Sequence, residues 1–277
     1  MIRYFIRGRR ALALLAAGGL VLGAAACSDD DNSGGITGTV GPEGSANLPT
    51  HDQLLAQLKA AQATDNKGFR LNMWATVVDR SGIVRAIAYT GTKEDDQWPA
   101  SRAISAQKAN TANSLSLSDL ALATANLYSA VQPGGSLFGL ETSNPVNTDA
   151  AYGGNANDYG TTADYMLGKR IGGVNVFGGG LALYDATGAI IGAIGVSGDT
   201  SCADHSIAWK TRDGLGLDYV PGGVDPLSGY DNIVFDIDAN GKSASGWGHP
   251  TCPLVEADVI AEGQDLPVSY PVNTVTP

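Results

Sequence analysis

Three histidines and three cysteines are the residues of this chain best suited to metal or cofactor chemistry. His205 follows Cys202 by three positions, and His249 precedes Cys252 by three. In an oxidising compartment a Cys202–Cys252 disulfide is the expectation. It would close a loop of 50 residues, a length at which the chain-entropy view gives about 4 kcal/mol of stabilisation. The alternative is two separate buried thiols. Once the staple forms, both imidazoles are tied close to it. Imidazole ligates haem iron and many metals, so His205 and His249 are candidate cofactor ligands. The competing reading for each is structural, with His249 bonding backbone in the tight Gly246-Trp247-Gly248-His249-Pro250 loop. His51 falls in the first turn of a helix and reads as a solvated neighbour of its cap. Neither Cys202 nor Cys252 belongs to a CxxC pair, which argues against structural zinc and redox catalysis.

Other candidates are weaker. Tyrosine and methionine also serve as axial ligands, which adds Tyr152, Tyr159 and Met166. Lys169 and Arg170 are an adjacent basic pair able to meet an acidic ligand group, or simply to be solvated. Asp236, Asp238, Asn240 and Gly241 fit the opening of a calcium loop, but its twelfth position is Trp247 where a bidentate Glu is needed. A strand ending in an Asn-Gly turn explains the same letters. Nucleophilic hydrolysis fails on spacing: Gly195-Val196-Ser197-Gly198-Asp199 lacks the last glycine of a nucleophile elbow. Gly178-Gly179-Gly180 is not followed by the Lys-Ser/Thr of a phosphate loop.

These residues need a scaffold, and the pattern is mixed α and β. Thr50 and Gln53 have capping-box spacing, with Leu54, Leu55, Leu58 and Ala61 on one helical face and Gly68 as the stop. Residues 69–78 alternate like a strand with one face on a core. A turn at Asp79–Gly82 returns the chain into a strand from Ile83 to Tyr89. Pro99 opens an alanine-rich helix, and Ser118 caps another over Asp119–Val131. Residues 141–170 are polar, glycine-rich and unpatterned, which suggests a functional loop or an inserted excursion. A hairpin follows, Leu181–Tyr184 and Ala189–Val196, whose Gly192 and Gly195 leave room for a close approach to the sheet. Ser201 caps a helix to about Arg212, and Ile233–Ile237 reads as a late strand.

The N-terminal part reads as an address. Arg3, Arg7, Arg9 and Arg10 precede an uncharged run of 16 residues, Ala11 to Ala26. That is signal-peptide organisation over 1–26, too short to span a bilayer. Cys27 directly after Ala24-Ala25-Ala26 resembles a bacterial lipobox, although Ala24 stands where Leu is commonest. The resemblance implies acyl chains on Cys27, and several together would anchor the protein stably; the competing reading is ordinary cleavage after Ala26. Ser28 at the next position favours an outer-membrane over an inner-membrane address. Residues 27–48 are Gly/Ser/Asp-rich and read as a lipidated flexible tether. Without the four leader arginines, 13 basic residues face 28 acidic ones, a net charge of −15. So acidic a chain is unsuited to nucleic acid. Its 37 glycines in 277 residues are roughly twice the usual ~7% share.

Two blocks together resemble the GlcG/HbpS-like family of haem-binding, or haem-degrading, domains. The first is Val77-Val78-Asp79-Arg80-Ser81-Gly82 followed by Lys108-Ala109-Asn110-Thr111-Ala112. The second is Gly192-Ala193-Ile194-Gly195-Val196-Ser197-Gly198, then Asp204. The likeness covers about residues 50–215. It implies an α+β, profilin-like fold, an antiparallel sheet of about five strands flanked by helices, and often an oligomer. It implies haem or a related tetrapyrrole as cofactor, and assigns no haem ligand. The resulting organisation is a domain over 49–216 with the 141–170 excursion, and a C-terminal extension over 217–277 packed on it. The functional expectation is a periplasm-facing, lipid-anchored binder of haem that scavenges, buffers, senses or delivers it, without required catalysis. The alternative is a non-haem binder of a small organic acid, or an enzyme accessory in a redox pathway; a structural protein of the envelope is a third reading.

Overall fold

The computed structural model describes residues 47–275. The leader, Cys27 and most of the proposed tether lie outside these residues. The first helix, α1 (His51–Gln62), starts where the capping box predicts. The Thr50 hydroxyl accepts the Gln53 N–H, and the Gln53 side chain accepts the Thr50 N–H at 2.9 Å. It stops well before Gly68, because Thr64 and Asn66 turn their side chains back onto the Ala61 carbonyl at 2.8 and 2.9 Å.

Four strands form one sheet, with order β2-β1-β4-β3 and every pairing antiparallel. They are β1 (Trp74–Asp79), β2 (Val84–Tyr89), β3 (Gly180–Tyr184) and β4 (Ile190–Ser197). The α+β expectation holds, with one strand fewer than the five expected. The expected strand Ile233–Ile237 does not join the sheet. Its backbone is bonded piecemeal instead: Ile233 N–H donates to His205 at 3.1 Å, and the Val234 carbonyl accepts from His249 N–H at 2.8 Å. The expected strand over 69–78 begins only at Trp74. Arg70 has φ +62°, and the N–H groups of Phe69 and Leu71 turn onto the Asp199 carboxylate, so this backbone cannot follow a ladder.

From Met73 onward the alternation is as expected, but both faces are covered rather than one. Met73, Ala75 and Val77 pack with Leu54 and Leu58 of α1 and with Ile207 and Trp209 of α6 (Ser201–Gly214). Trp74, Val78 and Ala193 pack with Ala103, Ala106, Ala109 and Ala112 of α2 (Ser101–Leu115). The alanine face lets α2 lie close to the sheet, and Gly195 completes the fit. A Cβ there would stand 2.0 Å from the Ser105 carbonyl oxygen. The approach predicted at this glycine is therefore that of a helix. We expect Gly195→Val to destabilise the fold by about 3 kcal/mol or more, read as a lowered urea midpoint.

The helix expected over Asp119–Val131 is shorter. Residues 119–123 are irregular, since Ala121 N–H is drawn to the Gly222 carbonyl and Leu122 N–H to Ser116. A 3₁₀ turn (Thr124–Leu127) then runs into α3 (Tyr128–Val131). The 141–170 excursion contains α4 (Leu140–Ser143, which begins one residue earlier), α5 (Thr148–Tyr152) and a 3₁₀ turn (Ala156–Asp158). Arg102 of α2 clamps it: the guanidinium pairs with the buried Asp164 carboxylate and donates to the Ala151 carbonyl at 2.7 Å. Beyond α6 the chain is irregular until α7 (Glu256–Ser269). It is fastened to α6 by the Cys202–Cys252 disulfide, by a buried Arg212–Asp231 pair at 2.7 Å, and by Trp209 N–H donating to the Tyr270 carbonyl.

Candidate functional site

The sequence motifs that carry the resemblance meet inside the fold. Lys108 of α2 and Asp204 of α6 form a buried ion pair at 2.7 Å. The ammonium also donates to the Val196 carbonyl at 3.0 Å, and Asp204 accepts the Asp199 N–H at 2.8 Å. Burial pushes the Asp204 carboxyl up to about 6 although the Lys108 ammonium holds it down. The same burial lowers Lys108. This pair welds α2 to the β4–α6 corner.

The imidazoles nominated from sequence sit at the disulfide end of α6. His205 is fully buried, and its Nε2 accepts the Ile233 N–H. His249 is buried too, with Nδ1 2.6 Å from the Pro250 carbonyl and Nε2 2.8 Å from the Ser201 hydroxyl. Thr200, not Ser201 as expected, caps α6, and the Ser201 hydroxyl accepts the Gly178 N–H at 2.6 Å while it donates to His249. Burial pushes His205 down to about 3 and His249 down to about 4, so both are neutral at neutral pH.

The other nominated residues are held by local contacts. The Lys169 ammonium lies 3.5 Å from the centre of the Tyr165 ring and bonds that residue's carbonyl. Arg170 donates to the Ser81 carbonyl at 2.7 Å, at the β1–β2 turn. In the calcium-like stretch, the Asp236 carboxylate accepts from Ser243 and Ser245, while Asp238 accepts the N–H groups of Asn240 and Lys242. Those bonds are the turn reading of the same letters. Met166 is fully buried in the core under α2.

A different place has the shape of a ligand site. At the opposite end of the β1–β2 hairpin from Arg170, Trp74 and Tyr89 face each other across the ladder and stack with ring centres 4.2 Å apart and planes 11° apart. They wall a cleft of about 570 Å³ together with His51, Leu55, Lys93 and Tyr159. A smaller pocket of about 250 Å³ shares Trp74, Glu94 and Tyr159, and adds Ala103 and Tyr152. The excursion supplies the outer wall. The Arg102 guanidinium that holds Asp164 also lies 3.6 Å from the centre of the Tyr159 ring. Gly160, at φ +74°, lets backbone settle on the aromatic pair, where a Cβ would come within 2.6 Å of Tyr89. Partial burial and the nearby Asp96 raise the Tyr89 phenol, which stays neutral and donates to the Lys93 carbonyl at 3.1 Å.

His51 is the residue that sequence reading passed over. Its Nδ1 donates to the Ile87 carbonyl at 2.8 Å, which leaves the lone pair on Nε2. A backbone carbonyl behind one ring nitrogen is the arrangement that orients a ligating imidazole. The Trp74 indole N–H is buried and has no hydrogen-bond partner among the described residues.

The chain matches the family described as haem-degrading protein HbpS-like over residues 50–213. It belongs to the HbpS-like family. The matched span runs from the cap of α1 to the last turn of α6, and so contains both the Lys108–Asp204 weld and the aromatic cleft. One relative, an uncharacterised 15.0 kDa protein of the dhaT-dhaS intergenic region of Citrobacter freundii, is 31% identical over 162 residues, 58% of this chain and 89% of that protein. Among solved structures, Klebsiella pneumoniae protein ORFY of the DUF336 family is 27% identical, covering 62% of this chain and 94% of its own, with a TM-score of 0.40. A PduOC:heme complex is 25% identical, covering 58% and 91%, with a TM-score of 0.39. A larger apolar groove of about 670 Å³, between residues 225–236 and α7, lies outside the span matched to the HbpS-like family and has no imidazole in its lining.

Proposed function

We propose that this HbpS-like protein binds haem or a related tetrapyrrole in the aromatic cleft, with His51 as axial ligand. The observation that carries the reading is the conjunction of an aromatic wall, Tyr89 backed by the buried Trp74 ring, with an imidazole whose Nδ1 is fixed by the Ile87 carbonyl. A planar macrocycle suits such a wall, and neutral imidazole Nε2 suits its iron. The cleft volume falls within the range of small-molecule sites. Lys93 at the rim supplies a cation for an acidic side group, and Tyr152 and Tyr159 close the outer side. The family description adds independent support for haem.

The wider role is scavenging, buffering, sensing or delivery of haem by a protein held in the cell envelope through acyl chains on Cys27. That address rests on the leader pattern alone, and Cys27 lies outside the described residues. Titrating the full chain with haemin tests the binding. A Soret band shifted from that of free haemin, at one equivalent, is expected. His51→Ala should lose the six- or five-coordinate imidazole signature and weaken binding by at least about tenfold. His205→Gln and His249→Gln should leave the band in place. An unshifted band would sink the haem reading, and a spectrum unchanged in His51→Ala would remove the ligand assignment.

A further inference from the structure

Cys202, Cys252 and His249 meet at the N-terminus of α6, outside the aromatic cleft. Both sulfurs and an imidazole nitrogen lie within 4.8 Å of one another, and all three residues are buried. Zinc–sulfur and zinc–nitrogen bonds of about 2.3 and 2.0–2.1 Å place tetrahedral ligands roughly 3.5–3.8 Å apart, so small shifts bring these atoms around one ion. The imidazole is already oriented. Nδ1 donates to the Pro250 carbonyl, so the lone pair is on Nε2, where it accepts the Ser201 hydroxyl. That is the outer-shell arrangement behind metal-bound histidines. Cys252 Sγ accepts the Cys202 N–H at 3.0 Å in the first turn of α6. A helix N-terminus favours thiolate over thiol at such a sulfur.

We propose that reducing the Cys202–Cys252 disulfide opens a site for a thiophilic divalent ion, Zn²⁺ above all, held by the two thiolates and the His249 imidazole. The Ser201 hydroxyl or a water fills the fourth position. A dithiol supplies the two electrons: its own sulfurs join as a disulfide, the Cys202–Cys252 bond breaks, and two protons pass to the new thiols. Metal binding then releases those two protons. A disulfide oxidant reverses the change, taking two electrons as the S–S bond reforms and the ion leaves. The staple and the metal centre are thus two states of one side-chain cluster. The lack of a CxxC pair does not prevent this, because the ligands come together through the fold rather than through local spacing.

The test is a Co²⁺ titration of the full chain, reduced with a dithiol and then freed of it without oxygen, with near-ultraviolet circular dichroism recorded in parallel. We expect one Co²⁺ per chain, with thiolate charge-transfer and tetrahedral d–d absorption, displaced by Zn²⁺. The oxidised chain should bind none. His249→Ala should weaken Co²⁺ by more than about tenfold and alter the d–d bands, while Ser201→Ala should retain them. Absence of the absorption in the reduced chain, whether or not its dichroism persists, overturns the proposal. So does an identical titration of His249→Ala, which would show that two thiolates of an opened chain suffice.

Discussion

Replacing Lys108 with alanine is expected to destabilise the protein by about 3–5 kcal/mol, the usual consequence of stranding one partner of a buried ion pair. The ammonium is fully buried and donates to both Asp204 and the Val196 carbonyl. Without it the Asp204 carboxylate would keep only the Asp199 N–H as a partner. Burial already raises that carboxyl to about 6 against the pull of the lysine, so the variant would raise it further. Between the unfolded carboxylate range and that raised value the folded chain binds the extra proton. The deficit of the variant relative to the parent should therefore shrink as pH falls toward about 5, the reverse of an ordinary carboxylate. The double variant Lys108→Met/Asp204→Leu, which removes both charges at similar volume, should recover most of the loss. Urea unfolding at neutral and mildly acid pH measures all three. A Lys108→Ala midpoint within about 0.5 kcal/mol of the parent would mean that the pair contributes nothing to holding α2 on the sheet.

The weld also explains how far the sequence could be read. Periodicity and caps located α1, α2, both hairpins and α6, because local chemistry determines those elements: the Thr50–Gln53 box, the alanine face of α2 and the turn at Asp185–Gly188 all act within a few residues. The errors fall where a distant group takes over a backbone bond. Asp199 captures the N–H groups of Phe69 and Leu71 from 130 and 128 residues away. His205 takes the N–H of Ile233, and Gly222 takes that of Ala121. No window of sequence contains those pairings. Alternation over 69–73 and apolarity over 233–237 accordingly read as strand.

The candidate site was less legible than the fold for the same reason. Tyr152 and Tyr159 are candidates by residue type, but a polar excursion gives no sign of where it will lie until Arg102 fixes Asp164 and the Tyr159 ring. From sequence His51 reads as a cap neighbour, because its position in the first turn of α1 accounts for it locally. Its partner, the Ile87 carbonyl, is 36 residues away on β2. The signal that could have raised it was scarcity: with three histidines in 277 residues, each merits a ligand test. His205 and His249 attracted attention through their spacing from the cysteines. That spacing does bring His249 to the sulfurs, where the chemistry it suits is that of a thiophilic ion.

Lowering the pH from about 6.5 to about 4.5 is expected to cost the fold most of the stability contributed by its two buried neutral imidazoles. In the folded chain burial pushes His205 down to about 3 and His249 down to about 4, against an ordinary value of 6.5. Each imidazole of the unfolded chain, about half protonated at pH 6.5, is therefore almost fully protonated by about pH 4.5, while the folded chain refuses most of that charge, and stability falls as pH falls. Asp204 opposes this, since it accepts a proton in the fold near 6, before the unfolded carboxyl does. Two groups outweigh one, so the net slope keeps its sign. Below about pH 4 the carboxylates whose turn bonds lower them, Asp96, Asp185 and Asp238 among them, add to the loss. Forcing the proton onto His205 would cost the bond it accepts from Ile233, and onto His249 the bond from Ser201. Acid should thus loosen the α6–disulfide corner before the sheet, and local amide exchange at Ile233 should rise ahead of exchange in β1 and β4. His249→Gln, which keeps an acceptor toward Ser201 but cannot titrate, should remove most of the net slope, because Asp204 then opposes a single imidazole. Urea midpoints that stay level or rise between about pH 6.5 and 4.5, in the parent chain, would show that these imidazoles are hydrated in solution and carry no such linkage.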